Sequence, residues 1–149
     1  MRAVVQRVTA ASVRVGDRIV GEIGAGLVVL VGVARDDDGH DAEIIATKIA
    51  GLRIFDDRSG AMNVAIADVG GAVLAVSQFT LYGDARKGRR PSFIAAAHDD
   101  QARPLFDRVV QLLRDTGLQT QTGEFGAEMH VTLTNDGPVT VLLDSRKTF

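Results

Sequence analysis

Leu27-Val28-Val29-Leu30-Val31-Gly32-Val33 is the run on which the fold turns. It is continuously apolar over a strand's length, rich in β-branched residues and bounded by glycines. That is the pattern of a strand buried on both faces, not of one alternating between core and solvent. The period changes just after it, and helices follow. Asp36-Asp37-Asp38 offers cap residues, Ile45, Ile49 and Leu52 fall at helical spacing, and Gly51 stands near the end. A second helix is predicted from Asp99 or Asp100 to Gly117, with Ala102, Leu105, Phe106, Val109, Leu112 and Leu113 along one side. Upstream, Val4–Val8, Ser12–Val15 and Arg18–Ile23 read as short strands, the last two joined at a Gly16-Asp17 turn. Downstream, Asn63–Ile66, Val73–Leu81, Leu118–Thr122, Ala127–Thr134 and Val139–Leu143 read as strands too. The expected fold is α/β: one domain over residues 1–149, with a curved, barrel-like, mostly antiparallel sheet of short strands carrying two main helices.

Composition narrows the function. With 46 % hydrophobic, 24 % charged and only 5 % aromatic residues, the chain has the makings of an aliphatic core. It contains no cysteine, which removes disulfides, thiol nucleophiles and thiolate metal sites together and suits a reducing compartment. Charge interrupts the N-terminal Met1-Arg2-Ala3-Val4-Val5-Gln6-Arg7 before a secretory segment can form, and no apolar run approaches the roughly 20 residues of a bilayer span. The expected location is the cytoplasm. The net charge of −2 gives no global sign of a nucleic-acid binder, so any RNA contact has to be local.

The strongest local basic feature is Arg86-Lys87-Gly88-Arg89-Arg90-Pro91, with Tyr82 and Phe93 nearby. It reads either as a solvated loop or as a loop whose cations follow an RNA backbone. His40, His98 and His130 are too scattered for a metal site, and no metal or other cofactor is expected. The Gly21–Gly26 stretch precedes a strand, whereas a dinucleotide fingerprint follows one, so it reads as turn chemistry. Ser77-Gln78-Phe79-Thr80-Leu81 brings hydroxyls and an aromatic ring to a strand end, but no neighbouring histidine or lysine activates either hydroxyl. In Asn135-Asp136-Gly137-Pro138-Val139-Thr140 the residues alone predict a hairpin-type turn with a trans proline.

Those last two segments together resemble the paired signatures of the D-aminoacyl-tRNA deacylases, which hydrolyse D-amino acids from tRNA. The similarity continues through Gln6-Arg7-Val8, Gly26–Gly32, Leu52-Arg53-Ile54-Phe55 with Met62-Asn63, Gly88–Phe93, and Thr122–Gly126 with Met129. It implies a homodimer in which each subunit inserts a cis Gly137-Pro138 into its partner's active site, with Arg7 bracing that segment. It implies a pocket lined by Ser77, Gln78, Phe79 and Thr80, with Phe125 and Met129 near the terminal adenosine of tRNA and Arg86, Lys87, Arg89 and Arg90 as candidate tRNA contacts. The implied substrate is D-aminoacyl-tRNA, with mischarged glycyl-tRNA passing the same filter, and no membrane or DNA partner is implied. An aminoacyl ester is already activated, so positioning, backbone oxyanion donors and a water helped by the ribose 2′-OH suffice in principle. Two other classes remain open. A non-catalytic RNA-binding module would show no turnover, and a small-molecule hydrolase using Thr80 as nucleophile would trap an acyl-enzyme.

Overall fold

The computed structural model describes residues Met1–Phe149. Its elements are β1 (Arg2–Val15), β2 (Arg18–Ile23), β3 (Gly26–Gly32), α1 (Gly39–Gly51), β4 (Phe55–Asp56), β5 (Met62–Val64), β6 (Ala72–Ser77), α2 (Asp99–Asp115), β7 (Thr120–Thr122) and β8 (His130–Asp144). Single 3₁₀ turns lie at Ile66–Val69 and Phe79–Tyr82.

The Leu27–Val33 run behaves as its composition requires. Strand β3 is buried almost throughout and has a neighbour on each edge, β1 antiparallel and β6 parallel. The main sheet runs β2-β1-β3-β6-β7, with β8 on the other edge of β1. It curls until β2 meets β7: the Glu22 amide donates to Gln121 Oε1 at 2.8 Å. The result is an almost closed barrel. Odd-numbered residues of β3 and β6 (Leu27, Val29, Val31, Val73, Ala75) face the helices, where Ile45, Ile49, Phe106, Val109 and Leu113 complete the larger core. Even-numbered residues (Val28, Leu74, Val76) face the barrel interior with Val8, Val13 and Ile23. Helix α1 starts where the aspartate triplet predicts. Asp38 accepts from the His40 and Asp41 amides while Asp41 returns a bond to the Asp38 amide.

Two expectations are corrected. The strands are not all short: β1 runs 14 residues and β8 runs 15, because bulges let each bend around the barrel without ending. The sheet is mostly antiparallel as expected, with parallel pairing at β3–β6 and β6–β7. Asp136-Gly137-Pro138 is not a hairpin turn between two strands and its proline is not trans. The Gly137-Pro138 bond is cis and lies within β8. Gln6 pairs with Thr140 and Val8 with Asn135, so residues 136–139 stand opposite Arg7 alone. The segment is a bulge projecting from a continuous strand. Four predicted strands are trimmed at one end, since β5 ends at Val64, β6 ends at Ser77, β7 begins at Thr120 and β8 begins only at His130.

Candidate active site

The strand β6 delivers Ser77 to the edge of a cavity, and the chain then tightens into the 3₁₀ turn. That turn lies directly on β3, with the Gln78 amide bonded to the Val31 carbonyl at 2.7 Å. The approach is possible because residue 32 is glycine: a Cβ there would stand 2.9 Å from the Gln78 carbonyl oxygen and 3.0 Å from Leu81 Cβ. Phe79 and Thr80 open the turn, so their amides have no acceptor within it.

The cavity measures about 250 Å³. Its walls are Val33, Val76 and Val131 from the sheet, Ser77, Gln78 and Phe79 from the turn, Ala97, Asp99 and Ala102 from the start of α2, and Phe125, Gly126, Ala127 and Met129 from the β7–β8 connection. That connection is tied to β6 by the Gly123 amide on the Ala75 carbonyl, at 3.2 Å. Phe125 is set between the buried Phe106 (ring centroids 6.1 Å apart) and the Arg103 guanidinium, 4.7 Å above its face. Five of the residues singled out from sequence thus share one pocket: Ser77, Gln78, Phe79, Phe125 and Met129.

Thr80 is not among the lining residues. It is exposed, and its hydroxyl accepts from the Gln78 side-chain amide. No carboxylate or imidazole is bonded to it. Asp99 is the lining residue the sequence reading passed over, treating it only as a helix start. It is the sole charged side chain on the cavity wall and makes no ion pair. A charged residue opening a helix is so common that only the fold, by pointing this helix start at the pocket, marks it out.

Arg7, Gly137 and Pro138 form a second cluster. The buried Arg7 donates through Nη1 to the Ile54 carbonyl (2.9 Å) and through Nε to the Asp136 carbonyl (3.2 Å), with Asp56 and Asp136 carboxylates beside it. Asn135 Nδ2 closes the base of the bulge on the Arg7 and Val139 carbonyls, at 3.1 and 2.9 Å. Gly137 sits at φ +124°, and a Cβ there would be 2.8 Å from Val139 Cγ2 and 3.1 Å from Arg7 Nη2. Gly137 and Pro138 are exposed and do not line the pocket of their own chain. On β3, Leu27 pairs with Arg7 and Val31 with Ser77, a separation of four residues or about 13 Å.

The basic segment is a loop pinched shut by paired bonds between the Asp84 and Ser92 backbones, at 2.8 and 2.9 Å. Arg86 folds back on Asp84 through two bonds, which pull the Asp84 carboxyl down to about 2. Lys87, Arg89 and Arg90 remain exposed and without an ion pair. The loop returns to the pocket through Phe93, packed edge-on against Phe79 with centroids 5.1 Å apart. No group of three His, Asp or Glu side chains converges as metal ligands, and no helix is long and apolar enough to cross a membrane.

The chain is similar to known proteins over nearly its whole length. Residues 4–144 match the family model described as D-Tyr-tRNA(Tyr) deacylase. A D-aminoacyl-tRNA deacylase of Symbiobacterium thermophilum is 59 % identical over 149 residues, covering 100 % of this chain and 99 % of the relative. One from Anaeromyxobacter dehalogenans is also 59 % identical, with complete coverage of both. Among solved structures, one named c-Myc DNA Unwinding Element Binding Protein superposes with a TM-score of 0.91 at 41 % identity, covering 97 % of this chain and 98 % of its own.

Proposed function

Because the chain belongs to the D-Tyr-tRNA(Tyr) deacylase family and is a D-aminoacyl-tRNA deacylase, we propose that the Ser77–Phe79 pocket holds the ester and the terminal adenosine of D-aminoacyl-tRNA. The observation that carries this is the convergence of Ser77, Gln78 and Phe79 with Phe125 and Met129 on one cavity. Water adds to the ester carbonyl, and the charge that builds on the carbonyl oxygen is met by the amides opening the 3₁₀ turn. The C–O bond to the ribose then breaks, the leaving 3′-oxygen takes a proton, and free amino acid and tRNA result. The neighbouring 2′-OH orients the water. Supporting this reading, no base touches either hydroxyl of the motif.

Chirality is filtered by a partner subunit. Gly137 and Pro138 stand exposed on a braced bulge, remote from their own pocket, as a segment that serves a second copy would be. Their backbone fills the space an L side chain needs. A D side chain points outward, and glycine, having none, passes. Lys87, Arg89 and Arg90 take tRNA phosphates, and the enzyme works in the cytoplasm with charged tRNA.

The test is incubation with matched D-, L- and glycyl-tRNA, followed by measurement of the remaining ester. Loss of the D and glycyl esters with survival of the L ester is expected, and equal loss of D and L overturns the chiral filter. A substrate ending in 2′-deoxyadenosine, aminoacylated at the 3′ position, is expected to resist hydrolysis. Normal turnover of it removes the RNA-assisted step.

A further inference from the structure

We propose that Phe93 and Ile94 form a stacking ledge for the base of the nucleotide preceding the terminal adenosine, a proposal that rests on the deacylase reading above. Large apolar groups are exposed together at one place beside the pocket. Phe79 is 55 % exposed, Phe93 38 % and Ile94 71 %, although most of the chain's apolar side chains are withdrawn into two cores. Exposed apolar surface rimmed by charge marks a binding site. On the side of the loop tip the rim is basic. The loop that Phe93 leaves through the Asp84–Ser92 bridge carries Lys87, Arg89 and Arg90 at its tip, each without an acidic partner.

Apolar platforms alternating with cations are how proteins hold single-stranded nucleic acid: rings take base faces while arginines follow phosphates. The order is pocket, Phe79, Phe93, then the basic loop, with the exposed Ile94 following Phe93 in the chain. The 5.1 Å edge-on contact of Phe93 with Phe79 makes the ledge continuous with the pocket wall. A single strand whose last nucleotide enters the pocket and whose backbone leaves toward the cations passes over that ledge. The next base, unpaired at a tRNA 3′ end, is the group that covers it.

The test uses full-length D-aminoacyl-tRNA in which the nucleotide before the terminal adenosine carries its normal base or is abasic. The abasic substrate is expected to raise the wild-type KM about tenfold with kcat little changed, in line with the loss of one stacked base. Ile94→Ser, at a position too exposed to threaten folding, is expected to raise KM on the normal substrate similarly, and the two losses should not add. Phe93→Leu should behave alike but also disturb Phe79. Indifference of the wild type to the abasic site, or additive losses, overturns the ledge. So does conversion of a dimer to a monomer by Ile94→Ser, which would make the patch a subunit contact. A wild-type protein inert on every D-aminoacyl-tRNA would instead sink the deacylase reading, and the ledge with it.

Discussion

At the scale of single residues, glycine and arginine carry the most specific requirements. Gly137 holds a left-handed φ with Arg7 and Val139 against the place where a Cβ would go. Gly137→Ala should shift the bulge and lower D-aminoacyl-tRNA hydrolysis on the order of 100-fold, the scale of a small misplacement of a positioned group. Initial rates on D and L substrates read it, and unchanged rates with unchanged chiral preference would show that the segment plays no part in the reaction. Thr80→Ala removes a hydroxyl bonded only to Gln78, so activity should fall by no more than about tenfold, the worth of one hydrogen bond. A dead variant would return Thr80 to the role of nucleophile. Ser77, Gln78 and Phe79 stood out through the resemblance of their segment to a deacylase signature, since hydroxyls at a strand end by themselves read as polar groups that satisfy the backbone. Asp99 did not, because helix starts favour aspartate wherever they occur.

Elements show the same division. β3, α1 and α2 could be read from periodicity and caps, since burial on two faces and a helical stripe are local patterns. The long bent strands could not. β1 is interrupted by polar residues, and β8 by polar residues and a Gly-Pro step, which in sequence read as ends, whereas the cross-strand pairing that unites them joins residues about 130 positions apart. The basic loop is an element whose composition overstates its charge, because Arg86 is engaged by Asp84. Neutralising Lys87, Arg89 and Arg90 together should reduce the salt dependence of tRNA binding by a slope of about 2, at roughly 0.7 per single-strand phosphate. Adding Arg86→Gln should change it little more. Binding measured across a salt series decides this, and a slope that does not move would leave the loop merely solvated.

For the whole molecule, stability toward acid is set where the chain's two ends meet α1. Burial alone would raise the Asp41 carboxyl, but bonds from Arg146, Ser145 and the Asp38 amide hold it well below its usual range. A carboxyl depressed in the folded state stabilises fully above the unfolded pKa, near 3.9, and loses that contribution as pH falls through the lower folded value. Asp41→Asn should therefore lower the Tm at neutral pH and flatten its fall below about pH 4. A parallel downward shift at every pH would contradict the linkage. The second whole-molecule expectation is assembly: sedimentation at micromolar concentration should give the mass of a dimer, and an active monomer would remove the cross-subunit filter. The bulge opposite Arg7 links these scales in one further respect, that of parity. Before it, β8 sends Val131 and Leu133 into the barrel; after it, Val139, Val141 and Leu143 go beneath the helices. The residues between set the phase of that exchange, and a strand's faces alternate one by one. Losing a single position from 136–139 would either draw the Gly-Pro step flat or turn three core side chains to water. The number of residues in the bulge is therefore fixed by the two interiors that they divide.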